Sequence, residues 1–324
     1  MTTATERANH CTTRLNLPSS RYNLVDSWHG KSRVRVAKVR REGTRHAFVE
    51  LKVEILLRGG SARAFTHGDN SHVVATDTCK NHVYMLAKTH PCSSPESFAL
   101  VLAERFLHTY SWLTQANVTV MEVPWRRAEV LGKNHQHAFS LTADGSRKAT
   151  VQLIREKHGS PTVELVSGLN SLSVLKTTKS GWEGFVQDKY TTLPETNERI
   201  LATTIDAQWT YRSNTISALH TMQFSRVHDG VRRALLESFY GPPDTGRYSP
   251  GVQKSLYEMA REVRKRVKEV DSVTLSLPNL HFLPCRIPVF LQNGIKFEDD
   301  VFIPTDEPHG IIEASVGSPR LSRL

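Results

Sequence analysis

The spacing of apolar residues changes along the chain from the period of a strand to the period of a helix. Apolar and charged residues alternate from Val49 to Ile55, which is the period-two pattern of a strand with one buried face. Apolar residues then recur every three or four positions from Phe98 to Leu113, which predicts an amphipathic helix of about four turns. The chain must therefore fold into a structure that combines β-sheet with α-helix.

Similar elements follow one another in both halves of the chain. In the first half, two strands joined by a hairpin at Gly43 precede two helices, the first of which must end before Pro91. Elements are predicted, in order, at residues 34–36, 49–55, 83–87, 98–113, 118–123 and 137–141, and then at 162–166, 201–211, 231–239, 252–267 and 273–277. This order predicts an antiparallel α+β fold with the helices on one face of the sheet.

The pattern is interrupted near residues 150–160 by a polar segment that contains Gly159 and Pro161. We therefore predict two tandem domains of the same type, at residues 26–155 and 156–315. Residues 1–25 lack the apolar core of a secretory signal and are predicted to be a mobile extension. Residues 316–324 form a C-terminal tail.

Composition excludes several classes of protein. The 324 residues are 39% hydrophobic and 23% charged, which is typical of a globular protein, and no apolar run approaches the roughly 18 residues of a membrane span. The four cysteines show no CxxC pair, so they support neither a disulfide framework nor a thiolate zinc site. The formal net charge of +10 favours an anionic partner, either nucleic acid or a small anionic substrate.

Common cofactor motifs are absent from the sequence. It contains no GxxxxGK[ST] loop, no GxGxxG after a strand and no HExxH helix. His135 and His137 are two apart on a predicted strand and would point to the same side, but no third ligand is identifiable nearby. Nucleotide or zinc enzymology is therefore not indicated, and the histidine pair is interpreted as part of an ordinary surface strand rather than as a metal site.

Five segments contain polar and glycine residues that the predicted secondary structure does not require. They are Trp28–Lys31, Val73–Tyr84, Gly184–Thr203, Val252–Gln253 and Leu277–Phe282. In sequence, order and spacing these segments closely resemble the motifs of the urate oxidase family. The resemblance implies two tandem tunnelling-fold (T-fold) domains that assemble as a homotetramer around a β-barrel tunnel. It also implies cofactor-independent oxidation of urate by O2 and water to 5-hydroxyisourate and hydrogen peroxide, in purine degradation.

The matched residues imply a proton relay in which Lys31 is the base, Thr76 is the relay hydroxyl and His281 completes the network. A lysine in a dry cavity can lose its proton and act as a base. The resemblance also implies that Asp77 contacts urate through its backbone amide and that Asn279, with Thr76, holds dioxygen or water. Without the resemblance, Lys31 would be interpreted as a solvated strand residue, Thr76 and Asp77 as a helix N-cap, and Asn279 and His281 as polar residues at a strand edge.

A second set of matched residues implies the urate clamp. Arg199 offers a planar fork of donors to one anionic edge of the purine, and the Gln253 amide offers a donor and an acceptor to the opposite edge, beside Val252. The aromatic residue that stacks on urate is normally phenylalanine in this family, whereas the matching residue is Trp182. Stacking should survive, although the larger ring changes the depth of the site. Residue type alone would place Arg199 and Gln253 on the surface and Trp182 in the core.

The resemblance implies that one subunit contributes Lys31, Thr76 and Asp77 and that its neighbour contributes the other site residues. The C-terminal Ser322, Arg323 and Leu324 resemble the peroxisomal address Ser-Lys-Leu, which predicts recognition by the peroxisomal import receptor. No nucleic-acid or membrane partner is expected. Two alternatives remain at this point: a catalytically silent purine-binding scaffold, because of Trp182, and a basic nucleic-acid-binding protein.

Overall fold

A single eight-stranded antiparallel sheet dominates the computed structural model, which describes residues 23–318 apart from the side chains of Asp144 and Asp306. Its strands follow the spatial order β1, β2, β3, β6, β7, β8, β9 and β10. They span β1 His29–Glu42, β2 Arg45–Arg58, β3 Gln115–Glu122, β6 Asp144–Ile154, β7 Thr162–Lys176, β8 Leu201–Tyr211, β9 Val270–Pro284 and β10 Phe302–Val316. Outside the described residues lie residues 1–22 of the predicted N-terminal extension and the predicted targeting residues Ser322, Arg323 and Leu324.

Helices cover the sheet and bury its apolar residues. They are α1 Ala62–His67, α2 Thr76–Thr89, α3 Pro95–Thr109, α4 Ile216–Thr221, α5 Phe224–Tyr240, α6 Val252–Arg266 and α7 Pro288–Gln292. In the first half α2 packs on β1 and α3 packs on β3 and β6, while in the second half α5 packs on β7 and α6 packs on β9 and β10. The predicted antiparallel α+β architecture is confirmed.

Alternation in β2 follows the predicted pattern. Leu51, Val53, Ile55 and Leu57 are buried, whereas the residues between them face outwards. The predicted strand at residues 137–141 belongs instead to a separate two-stranded sheet, formed by β4 Trp125–Val130 and β5 Lys133–Leu141. Strands β6 and β10 were not predicted, and β7 and β9 are longer than predicted. Pairing with neighbouring strands stabilises these segments without requiring a strong local pattern.

Helix α3 ends at Thr109, four residues before the predicted end at Leu113. The reason is a distant side chain. The Arg155 guanidinium donates to the carbonyl oxygens of Leu107 and Leu113, the latter at 2.8 Å, so the carbonyls at the helix end find their partner outside the helix. Leu113 is nevertheless buried, since the turn after the helix folds it back into the core.

The start of α2 also differs from the sequence prediction. Ala75 occupies the N-cap position without a side-chain hydrogen bond, and Thr76 and Asp77 are the first two helical residues rather than caps. The Asp77 carboxylate forms an ion pair with Lys80 and accepts a hydrogen bond from the Asn81 amide at 2.9 Å, so it is engaged along the helix instead.

The connection near the predicted domain boundary is short. Residues 155–161 join β6 to β7, and these two strands pair with each other. The sheet therefore runs without interruption from the first half into the second. A buried ionic cluster also joins the halves, because Glu96 on α3 pairs with Arg147 at 3.1 Å and accepts a hydrogen bond from Ser167 on β7 at 2.8 Å.

Candidate active site

A cavity of about 780 Å³ lies between the β7–β8 connection and the β9–β10 hairpin. Four of the residues selected from the sequence line it: Trp182, Arg199, Asn279 and His281. They come from segments almost a hundred residues apart in the chain. The cavity thus gathers an aromatic ring, a guanidinium, an amide and an imidazole, which are the groups expected to stack on, clamp and react with a planar anion.

Backbone pairing holds Trp182 in place. Its N–H donates to the carbonyl oxygen of Thr196 at 2.6 Å, and the N–H of Thr196 donates back at 3.0 Å. The loop between them is closed by the Glu195 carboxylate, which accepts from the N–H of Gly184 at 2.8 Å. Phe185 stacks on the indole with 5.6 Å between ring centroids and 11° between planes. Phe185 therefore covers one face of the indole, and Trp182 also lines the cavity.

Arg199 immediately precedes β8 and lies beside Trp182. Its guanidinium carbon is 5.8 Å from the centroid of the indole, and its Nε donates a long hydrogen bond of 3.4 Å to the hydroxyl of Ser180, which is completely buried. Burial lowers the pKa of Arg199 below its ordinary value. The positive charge is thus partly desolvated, and an anionic ligand would offset that cost.

The N-terminus of α6 is joined to the same loop. The N–H of Gly181 donates to the carbonyl oxygen of Ser249 at 2.9 Å, and the buried Ser249 hydroxyl accepts from Ser255 at 2.7 Å. These bonds hold Val252 and Gln253, the first two residues of α6, next to Trp182. Gln253 is exposed and free to offer its amide, whereas Val252 is buried and offers only its backbone.

Asn279 and His281 lie on β9 and both line the cavity, as expected for residues two apart on a strand. Asn279 pairs with Thr203 of β8, whose hydroxyl donates to the carbonyl oxygen of Pro278 at 2.7 Å. On the other side, the register with β10 shifts between Thr305 and Gly310. A bulge therefore lies directly opposite Asn279 and His281, a common position for a functional site.

Lys31, Thr76 and Asp77 lie at the other end of the sheet, on β1 and α2. Lys31 is partly buried and precedes a register shift in β1, where Arg33 has a left-handed φ of 57°. Thr76 and Asp77 are exposed. The Lys80 ammonium lowers the pKa of Asp77 most, and Lys31 adds a smaller effect of the same sign, which places Lys31 near that carboxylate. The single chain does not bring these three residues to the cavity.

Comparison with known proteins identifies the family. Residues 27–152 and 165–313 match the family model for uricase. Uricase-2 of Phaseolus vulgaris is 47% identical over 294 residues, which cover 89% of this chain and 93% of that protein. The uricase of Oryctolagus cuniculus is 37% identical over 301 residues, which cover 93% of this chain and 96% of that protein. The chain belongs to the uricase family.

The solved structure of uricase from Arthrobacter globiformis is similar in fold, with a TM-score of 0.82 at 35% sequence identity, over 93% of this chain and 96% of that one. These matches confirm the predicted T-fold architecture and the prediction that the chain is a urate oxidase. Neither the silent scaffold nor the nucleic-acid-binding alternative is favoured by them.

Several residues in and around the cavity were given no role of their own in the sequence analysis, although three of them lie within the matched segment Gly184–Thr203. The Trp182 loop is shaped by Ser180, Phe185, Glu195 and Thr196, and Gly251, just before α6, faces the indole closely enough that a Cβ there would lie 2.9 Å from Cζ3 of Trp182. Their roles depend on contacts between the segments at 177–200 and 247–253. The register between these segments is set by the bridge between Ser180 and Ser249, for which no local sequence pattern exists.

The histidine pair considered as the start of a metal site is on β5. The rings of His135 and His137 are perpendicular, with 4.7 Å between their centroids. Nδ1 of His135 accepts the backbone N–H groups of His137 and Ala138. Within residues 23–318, no group of three or more His, Cys, Asp or Glu side chains is arranged to hold a metal ion. None of the described helices is long and apolar enough to cross a membrane.

Proposed function

We propose that this uricase oxidises urate with O2 and water, giving 5-hydroxyisourate and hydrogen peroxide, without a metal or organic cofactor. The observation that carries the proposal is one cavity lined by Trp182, Arg199, Asn279 and His281, with Gln253, which does not line it, near Trp182 at the start of α6. Electrons balance in this reaction, since urate loses two electrons and O2 gains two to become peroxide. The added water supplies the hydroxyl oxygen of the product.

Binding precedes chemistry in this proposal. Urate stacks on the indole of Trp182 where the indole lines the cavity, with one edge of the purine held by the Arg199 guanidinium and the other by the Gln253 amide and the Val252 backbone. The backbone segments that carry these donors are held before the ligand arrives, because the Trp182 loop and the start of α6 are hydrogen-bonded to each other. Donors on such segments stabilise the negative charge that develops on the purine.

Proton transfer uses Lys31, Thr76 and His281. Removal of a proton by the Lys31–Thr76 relay gives an electron-rich urate dianion, which reduces dioxygen held near Asn279. The reduced dioxygen bonds to a ring carbon and takes up a proton to give a hydroperoxide adduct. The adduct loses hydrogen peroxide, and water then adds to the same carbon to give the hydroxyl group of the product. His281 completes the relay, and its position beside Asn279 on one face of β9 suits that role.

The separation of the two sets of residues along the sheet supports a site shared between subunits. Along the sheet, β1 and β9 are separated by six strand spacings, or about 29 Å. We therefore propose that Lys31, Thr76 and Asp77 of one subunit complete the cavity of its neighbour, in a homotetramer whose sheets close into a barrel. A dilute monomer would be inactive.

Complementation tests the shared site. Lys31→Ala and Arg199→Ala chains, each much less active than the wild type at urate concentrations well below KM, are co-expressed in equal amounts and assayed under those conditions. A shared site restores about one quarter of the wild-type sites, because each site draws its two halves independently. A site contained in one chain restores none. Separately expressed variants mixed without subunit exchange serve as the control.

The reaction itself is tested with chelator-treated protein and urate in aerated buffer. Urate absorbance, oxygen uptake and peroxide release should change in equal molar amounts. Retained urate binding without oxygen uptake would instead support the silent scaffold. A requirement for stoichiometric added metal would refute the cofactor-free reaction.

The enzyme is proposed to act in the peroxisome, where peroxide is destroyed. The support is the terminal Ser322-Arg323-Leu324, which the import receptor would recognise. A fluorescent protein fused in front of the chain should enter peroxisomes and remain outside them when the three residues are removed. Unchanged import after the deletion would contradict this role of the tail.

A further inference from the structure

Gly251 directly precedes α6 and the clamp residue Gln253. Its backbone has a φ of 168° and a ψ of 157°. This is extended backbone that any residue can adopt, so the conformation does not require a glycine. The reason for a glycine must lie in the space around it.

That space is taken by the site residues. A Cβ added at Gly251 would lie 2.9 Å from Cζ3 and 3.2 Å from Cε3 of Trp182, and 3.2 Å from Oε1 of Gln253. Both atoms belong to the six-membered ring of the indole. The indole is larger than the phenyl ring of a phenylalanine at the same position. A side chain at Gly251 would therefore have to displace either the indole or the Gln253 amide.

The indole has little freedom to retreat. Phe185 covers one face, and the backbone of Trp182 is paired in both directions with Thr196. Behind it, a Cβ at Gly181 would lie only 2.1 Å from the hydroxyl of Tyr248, so the preceding residue is also closely packed. The open direction is the cavity, where the purine is to bind.

We propose that Gly251 is a positioning residue for urate oxidation, because its lack of a side chain creates the room in which the indole of Trp182 lies beside Gln253. This role rests on the proposed function, since it takes Trp182 as the stacking residue and Gln253 as the clamp. Trp182 and Gly251 form one unit: the large ring at one position requires the absence of a side chain at the other.

A double-mutant cycle tests this pairing with the proteins wild type, Gly251→Ala, Trp182→Phe and the double variant. Turnover is followed by oxygen uptake, and urate affinity is measured by calorimetry under anaerobic conditions, where urate binds without reacting. Gly251→Ala should lower kcat/KM about tenfold or more and weaken urate binding, because a displaced ring misaligns the purine. In the Trp182→Phe background the same substitution should cost less than about twofold.

The identical substitution in the two backgrounds is its own control for backbone effects. Equal losses in both backgrounds, or no loss in the wild-type background, would overturn the pairing. Should Gly251→Ala fail to fold, the double variant must fold, and a double variant that also fails would overturn it. Failure of the proposed function would be distinguishable, because the wild-type enzyme would then consume no urate.

Discussion

The two sets of site residues lie at opposite ends of one sheet and are built to different degrees in the single chain. Trp182, Arg199 and Asn279 line a formed cavity and are held by hydrogen bonds between distant segments. Lys31 and Thr76 lie on β1 and at the start of α2, and Thr76 is exposed. Much of the proposed binding half is thus formed within one chain, whereas the proposed proton-relay half would reach the cavity only from a neighbouring subunit.

Both halves nevertheless share a structural device. The register of β1 shifts just after Lys31, and the register of β10 shifts opposite Asn279 and His281. A bulge bends a strand locally and changes the direction of its side chains. A register shift therefore lies beside each of the two proposed sets of site residues.

The largest expected effect separates catalysis from binding. Lys31→Ala should lower kcat by about 10²- to 10⁴-fold, the usual contribution of a general base, while the affinity for urate under anaerobic conditions changes little. Steady-state kinetics and anaerobic calorimetry give the two quantities. The exposed Lys88 on α2 offers a matched control, since Lys88→Ala should leave both unchanged. Equal losses of kcat and affinity would place Lys31 in the binding half instead.

Removal of the Glu96 carboxylate, which belongs to the buried cluster between the two halves of the chain, should have the next largest effect. Glu96→Ala leaves the nearly buried Arg147 without its closest partner, which should lower the free energy of unfolding by about 3–5 kcal/mol. Urea denaturation measures it. Glu104 lies on the same helix in a half-exposed pair with His220, so Glu104→Ala should cost less than about 1 kcal/mol. Similar losses for both would show that the buried cluster is not what joins the halves.

Loss of the clamp should act on binding rather than on the relay. Arg199→Ala removes a charged, partly desolvated donor and should weaken urate binding by about 10- to 100-fold. Arg199→Lys keeps the charge without the planar fork, and its affinity should be intermediate. Anaerobic calorimetry measures the urate affinity of the wild type and of the two variants. An unchanged affinity in Arg199→Ala would remove Arg199 from the clamp.

The smallest effect concerns acid stability. Burial, with Arg147 nearby, lowers the pKa of His228 on α5 to about 4, and burial also lowers the pKa of His29 on β1. Between pH 6.5 and 4, His228 is protonated in the unfolded chain but mostly neutral in the folded chain. The free energy of unfolding therefore falls as the pH falls through this window. The urea denaturation midpoint should therefore change less between pH 7.5 and pH 5 in His228→Gln than in His29→Gln. The reverse order would contradict the deeper burial of His228.

Secondary structure was predictable where a segment carries its own pattern. The alternation in β2 and the helical repeat within α3 follow from side chains that face one core, and both were found at the expected places. Strand β10 and the true end of α3 depend on partners far along the chain, namely β9 and Arg155. No window of sequence contains both members of such a pair.

The sequence by itself determined the family, the α+β architecture and the identity of the residues expected to act on urate, because these follow from local motifs and periodicities. Tertiary structure alone decided that Trp182, Arg199, Asn279 and His281 share a cavity while Lys31 lies at the far end of the sheet. The need for a glycine at position 251 also becomes visible only in the tertiary structure, since a Cβ there would lie 2.9 Å from the Trp182 ring. The physical reason is that distance and steric exclusion between remote segments depend on how strands pair and loops close, and neither is encoded in the residues of one segment.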